Sequence, residues 1–133
     1  RSMAEVRGLI DTERQRGIAS GRIVLAGFSQ GCAMTLLTGL RYPERLAGLV
    51  GMSGYLPLAS SLEVERSRAN ADVPVFLAHG RSDPVVPFTA GVATRDALRG
   101  LGYPVEWHEY PMPHSVCMEE IGDLNRWLLR VLG

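Results

Sequence analysis

The sequence predicts an α/β fold, a doubly wound, mostly parallel sheet with helices on both faces. Short apolar runs without polar alternation, at residues 22–27, 46–52 and 73–78, are typical of strands buried on both faces of such a sheet. Segments with helical periodicity separate these runs, so that strands and helices alternate along the chain. The length of 133 residues and the 46% hydrophobic and 21% charged content fit one globular domain.

The first elements are a helix, a strand and a second helix. Residues 2–16 carry apolar side chains at helical spacing, and Gly17 is suited to the left-handed cap that ends a helix. The first strand is predicted at residues 22–27. A helix is predicted over residues 30–41, which carry apolar side chains for packing, and Pro43 lies just beyond its end.

The middle of the chain holds two of the predicted strands. The run at residues 46–52 ends in Ser53-Gly54, a turn signal. Residues 58–70 have little periodicity and are predicted to form a loop with some helix. The strand at residues 73–78 leads into a segment rich in turn-forming residues.

The last third contains an amphipathic helix, a strand and a final helix. The first helix is predicted over residues 88–101, where Gly102 stops it. Residues 105–110 alternate as a strand exposed on one face does. The final helix is predicted over residues 115–132, which carry an apolar stripe on one side.

Composition excludes several classes of protein. Fourteen basic residues balance fourteen acidic ones, so no net field attracts nucleic acid or an anionic membrane surface. No apolar run reaches the roughly 18 residues of an integral membrane helix. Cys32 and Cys117 do not form a disulfide framework, and two free thiols predict a reducing, cytoplasmic location. No metal-ligand spacing is present.

The strongest motif is Gly-Phe-Ser-Gln-Gly at residues 27–31, which matches G-x-S-x-G between a buried strand and a helix. A sharp strand-to-helix turn projects the hydroxyl of Ser29 above the sheet, and the flanking glycines avoid clashes with neighbouring backbone. The alternative is a turn serine that caps the following helix.

A serine nucleophile needs a base that is oriented by a carboxylate, in the chain order Ser, Asp, His for this fold. Asp83 follows the third strand and His114 follows the fourth, so both lie at the sheet edge that carries Ser29. Taken alone, Asp83 is equally a turn carboxylate before a proline, and His114 a loop residue that caps the last helix. The three together predict a catalytic triad.

Three other reactive side chains are assigned structural roles. His79 is expected to brace the loop of Asp83, and His108 to be a partly exposed strand residue. Cys32 is expected to be a small helix residue packed near the site, and no other segment suggests a cofactor.

Other motifs accompany G-x-S-x-G, namely Gly54-Tyr55-Leu56-Pro57, residues 79–87 (His-Gly-x-x-Asp-x-Val-Val-Pro) and His114-Ser115. With these motifs, the sequence resembles the carboxylesterase, acyl-protein thioesterase and lysophospholipase family over essentially the whole chain. The resemblance implies a cofactor-free hydrolase of small-molecule carboxylic esters, and extends to thioesters and lysophospholipids. It implies Ser29 as nucleophile, His114 as base and Asp83 as its orienter. The backbone N–H of Gln30 would be one oxyanion-hole donor.

The substrate pocket and the rival functions are less specific. Leu56, Pro57 and Val86 follow strand ends and are candidate acyl-pocket residues. An acyl-protein thioesterase or peptidase on the same fold is the enzyme alternative, and a non-catalytic binding domain or inactive fragment is the alternative from another class. Homo-oligomerisation is left open.

Two features depart from the family pattern. Pro113 and Cys32 stand where glycine is common, and nothing before Ser29 can supply the second oxyanion donor. Residues 23–26 also read as a central strand although no strand precedes them. We therefore expect residues 1–133 to be the C-terminal part of one α/β-hydrolase domain, whose partner is a missing N-terminal segment.

Overall fold

The computed structural model describes residues 2–133, in which four parallel strands form one sheet in the order β1-β2-β3-β4. The strands are β1 (Val24–Phe28), β2 (Gly48–Met52), β3 (Val75–Gly80) and β4 (Val105–Tyr110). Since all four run in the same direction, their carboxyl ends meet at one edge of the sheet.

Five α-helices surround this sheet within the described residues, each close to a predicted segment. They are α1 (Met3–Gln15), α2 (Gln30–Gly39), α3 (Ala59–Glu65), α4 (Phe88–Gly100) and α5 (Met118–Leu132). Ser2 and Glu5 form a capping box at the start of α1. The helix α3 is the helical part of the predicted loop. None of these helices is long and apolar enough to cross a membrane.

The core consists of two apolar clusters, one on each face of the sheet. Residues of α1 to α4 pack on the first face, and residues of α5 pack on the second. Neighbouring strand residues serve opposite clusters, as Leu49 and Val50 of β2 do. The predicted parallel sheet with helices on both faces is confirmed.

The edge strands differ from their sequence-based description. Val105 to His108 of β4 are half-buried on both faces, so the prediction of one exposed face is wrong. Trp107 packs with the first cluster, whereas the ring of His108 stacks on Phe76 in the second. Helices therefore cover both sides of this strand.

The strand β1 forms the other edge. Ala26 and Phe28 are exposed, although the apolar run predicts burial on both faces. No strand among residues 2–133 pairs with its outer edge. An apolar groove of about 340 Å³ lies beside that edge, between α1 and α2.

Candidate active site

Ser29 occupies a strained turn between β1 and α2. Its backbone has φ 58° and ψ −116°, a region that side-chain-bearing residues rarely adopt, at a cost of about 1–3 kcal/mol. Its N–H donates to the carbonyl of Met52 at 2.8 Å, which ties the turn to the end of β2. The helix α2 begins at the next residue, so the serine lies at a helix N-terminus.

The two motif glycines are not equivalent. A Cβ on Gly27 would lie 2.1 Å from the carbonyl carbon and from the carbonyl oxygen of Gly31. Because both are backbone atoms, they cannot move aside as a flexible side chain could. A Cβ on Gly31 would meet nothing within 4 Å. The expectation that both glycines prevent clashes is wrong for Gly31. Gly27 must lack a side chain because the backbone of Gly31 lies against it.

Alanine at these two positions is expected to act in opposite directions. G27A forces the backbone of the turn apart and should lower the free energy of unfolding by about 2–3 kcal/mol. G31A adds a better helix former to a helix and should leave stability equal or up to about 1 kcal/mol higher. Urea denaturation of both variants measures this, and equal destabilisation by the two would contradict the assignment.

A continuous hydrogen-bonded chain joins the three predicted catalytic side chains. His114 Nε2 lies 2.9 Å from Ser29 Oγ, and His114 Nδ1 lies 2.7 Å from Asp83 Oδ2. An ionised carboxylate only accepts, so Nδ1 carries the proton and Nε2 is free to accept from the serine hydroxyl. This is the arrangement expected of the predicted nucleophile and its base.

Asp83 is held as an anion although its side chain is fully buried. Burial would raise the pKa of Asp83, but the hydrogen bond with His114 and those donated by the N–H groups of Val86 and Val85 outweigh it and lower the pKa below its usual value. The two backbone groups bind Oδ1 at 2.9 and 2.8 Å. The carboxylate therefore presents its other oxygen to the imidazole.

The loop that carries His114 packs closely on β3. A Cβ on Gly80 would lie 2.2 Å from the carbonyl oxygen of Met112 and 2.4 Å from that of Pro113. Gly80 thus allows the two loops to approach, and Pro113 does not keep His114 out of the hydrogen-bonded chain.

Sequence reasoning missed Phe28 as a neighbour of the site. Its ring centroid lies 4.8 Å from that of His114. The signal was available, since Phe28 directly precedes Ser29 at the end of the strand.

Gln30 and Cys32 follow the serine on α2. The N–H of Gln30 donates no backbone hydrogen bond within residues 2–133, as an oxyanion donor requires. Cys32 is buried against Gly51 and Gly54, and burial raises the pKa of its thiol to about 12. The prediction that Cys32 is a packing residue is confirmed.

The sequence pattern of the phospholipase/carboxylesterase family matches residues 1–132. The chain belongs to this family. Its relatives include acyl-protein thioesterase 1 of Yarrowia lipolytica, which is 41% identical over 130 residues, 96% of this chain and 57% of that protein. Acyl-protein thioesterase 1 of Neurospora crassa is 42% identical over 130 residues, 96% of this chain and 53% of that protein. The chain thus spans little more than half the length of these relatives.

Solved structures of similar proteins agree with this fold. The crystal structure of Arabidopsis thaliana SOBER1 has a TM-score of 0.93 at 31% identity, and the match covers 98% of this chain and 63% of that one. The crystal structure of esterase PE8 has a TM-score of 0.85 at 32% identity, covering 92% of this chain and 56% of that one.

The predicted acyl-pocket residues of this member of the phospholipase/carboxylesterase family occupy different environments. Leu56 is buried, its N–H donates to Thr94 Oγ1 at 3.0 Å, and with Tyr55 it lines a groove of about 250 Å³ along α4. Pro57 is half-buried, and Val86 contributes its backbone to the loop of Asp83. A role in substrate binding stays a prediction for all three.

Proposed function

We propose that this chain carries the catalytic residues of a serine hydrolase that cleaves carboxylic esters through an acyl-enzyme intermediate. The hydrogen-bonded chain from Ser29 through His114 to Asp83 carries the proposal, because it joins nucleophile, base and orienting carboxylate in one line. In a non-catalytic binding domain, nothing would require a serine with a strained backbone that is hydrogen-bonded to a histidine and, through it, to a carboxylate.

The proposed reaction has two similar steps. Ser29 Oγ attacks the acyl carbonyl while His114 Nε2 takes its proton, and Asp83 stabilises the resulting imidazolium. The oxyanion accepts a hydrogen bond from the N–H of Gln30. His114 then protonates the leaving alcohol, and a water molecule repeats the sequence to release the acid.

Thioester hydrolysis is the second candidate, supported by the names of the acyl-protein thioesterase relatives. A thiol leaving group has a pKa of about 8.5 and departs with little help from a general acid. The same side chains therefore serve a thioester, whereas a peptidase needs His114 to protonate a poorer leaving group.

Substrates that differ in one atom separate these candidates. Phenyl butyrate and its S-phenyl thioester share the acyl group, so they form the same acyl-enzyme. We expect both to be hydrolysed, with kcat/KM values within about tenfold of each other. A hundredfold preference for the thioester would replace the esterase with the thioesterase. An absence of turnover, together with no adduct from an active-site phosphonate, would favour the binding domain or an inactive fragment.

The proposal includes a further segment of the same domain beside β1, so that residues 1–133 form its C-terminal part. The exposed Ala26 and Phe28, the unpaired outer edge and the adjacent apolar groove support it. That segment would supply the second oxyanion donor, whose loss lowers rates by roughly 10²–10³. A phosphonate should accordingly label Ser29 of the 133-residue chain more slowly than it labels a full-length relative. Equal labelling rates would refute this part.

A cytoplasmic location completes the proposal. Cys32 and Cys117 are both free, as is usual in a reducing compartment. Cell fractionation tests it, and recovery only outside the cytoplasm would contradict it.

A further inference from the structure

His79 lies next to Asp83 but outside the hydrogen-bonded chain described above. Its side chain is 2% exposed, at the end of β3. Nε2 lies 2.8 Å from the carbonyl oxygen of Val86 and 3.5 Å from Asp83 Oδ2. Because a carbonyl oxygen only accepts, Nε2 carries the proton and donates a hydrogen bond to the carbonyl oxygen of Val86.

This donation fixes a residue that itself binds the carboxylate. The N–H of Val86 donates to Asp83 Oδ1, while the carbonyl of Val86 accepts from His79. Val86 is therefore hydrogen-bonded both to His79 of β3 and to the carboxylate of Asp83. Loss of the hydrogen bond from His79 would free the N–H donors that set the orientation of the carboxylate.

The helix α4 holds the imidazole of His79 in place. A Cβ on Gly91 would lie 2.5 Å from His79 Nδ1, so the helix backbone packs directly on the ring. Phe88 meets the same ring edge-on, at 6.1 Å between centroids. Both neighbours therefore pack on the ring while its Nε2 donates to the carbonyl oxygen of Val86.

We propose that His79 is a positioning residue, which holds the loop of Val86 so that Asp83 Oδ2 points at His114. The role rests on the proposed serine hydrolase function, because it acts through the carboxylate and not on the substrate. A positioning role differs from a purely structural one, because it predicts that substitution of His79 lowers turnover by more than any loss of stability explains.

Two substitutions at His79 separate positioning from packing. H79L removes the donor, and H79Q keeps an N–H at the end of a side chain of similar length. We expect H79L to lower kcat for phenyl butyrate by about 10–100-fold with KM within about twofold, because small misplacements of catalytic groups cost this much. H79Q should recover kcat to within about fivefold of the wild type.

A second route keeps His79 and displaces its ring. G91A places a methyl group against Nδ1 and should lower kcat in the same direction as H79L. G100A lies on the same helix, where a Cβ would meet nothing within 4 Å, and serves as the matched control. Thermal unfolding followed by circular dichroism identifies any variant that does not fold.

The proton between His114 Nδ1 and Asp83 reports the same geometry without turnover. A short imidazole–carboxylate hydrogen bond gives a low-field proton NMR signal, which we expect in the wild type and H79Q and expect to be lost in H79L. Folded H79L and G91A variants that keep both the signal and wild-type kcat would overturn the proposal. If the wild type shows the signal but neither hydrolyses substrate nor forms a phosphonate adduct, the proposed function is not supported for this chain, and the signal alone then decides the role of His79.

Discussion

Replacing Ser29 with alanine is expected to lower kcat/KM for phenyl butyrate by at least about 10³-fold, since no acyl-enzyme can form without the hydroxyl. The imidazole of His114 and the N–H of Gln30 stay in place, so the small remaining rate would come from binding and the oxyanion donor. Initial rates measure the loss, and intact mass spectrometry should find no phosphonate adduct on S29A.

The matched control is Ser60, an exposed serine on α3. S60A should change the rate by less than about twofold, as expected for an exposed side chain outside the hydrogen-bonded chain. S29A activity above about one hundredth of the wild-type value would contradict the assignment of the nucleophile.

Glycine at the same position separates catalysis from folding. At φ 58° and ψ −116°, alanine keeps the strain of serine, whereas glycine adopts this region freely. S29G should therefore be as inactive as S29A but more stable by about 1 kcal/mol, after the larger entropy loss of glycine on folding. Such a result would mean that the turn trades stability for the exposure of its hydroxyl.

The alternation of strands and helices was predictable because it rests on local patterns. Apolar runs gave β1, β2 and β3, and the G-x-S-x-G motif marked the junction of β1 and α2. Because parallel strands end at one edge, residues that follow β3 and β4 were expected near Ser29 without any knowledge of contacts. Their meeting at hydrogen-bond distance follows from this topology.

The rest depended on contacts between distant segments, which periodicity does not encode. Whether Gly27 or Gly31 needs to lack a side chain is decided by the distance between their backbones across the turn. The packing of Phe28 on His114 joins residues 86 positions apart. The half-burial of β4 depends on which helices cover it, and its alternating sequence is equally suited to an exposed face.

Asp83 connects the chemistry of the site to the stability of the fold. Its buried carboxylate is stabilised by two backbone N–H groups as well as by His114. A buried carboxylate with these partners favours one orientation of the ring, and this preorganisation is what a base needs.

Replacing Asp83 with asparagine is expected to lower kcat by about 10⁴-fold while the protein stays folded, because a neutral amide neither fixes the tautomer of His114 nor stabilises its imidazolium. D72N is the control, since Asp72 is an exposed carboxylate paired with Arg45 on the surface, and its rate should stay within about twofold. D83N activity above one tenth of the wild-type rate would mean that His114 acts without its carboxylate.

The same variant should change how stability depends on pH. The pKa of Asp83 is lowered in the folded state, so its ionised form stabilises the wild type above the unfolded value of about 4. This contribution is lost as the pH falls through the folded pKa. Asparagine does not titrate, so urea denaturation should give D83N a flatter stability profile than the wild type below about pH 4. Parallel profiles for the two proteins would mean that the hydrogen bonds to Asp83 do not favour its ionised form. Asp83 would then not be the anion that orients His114.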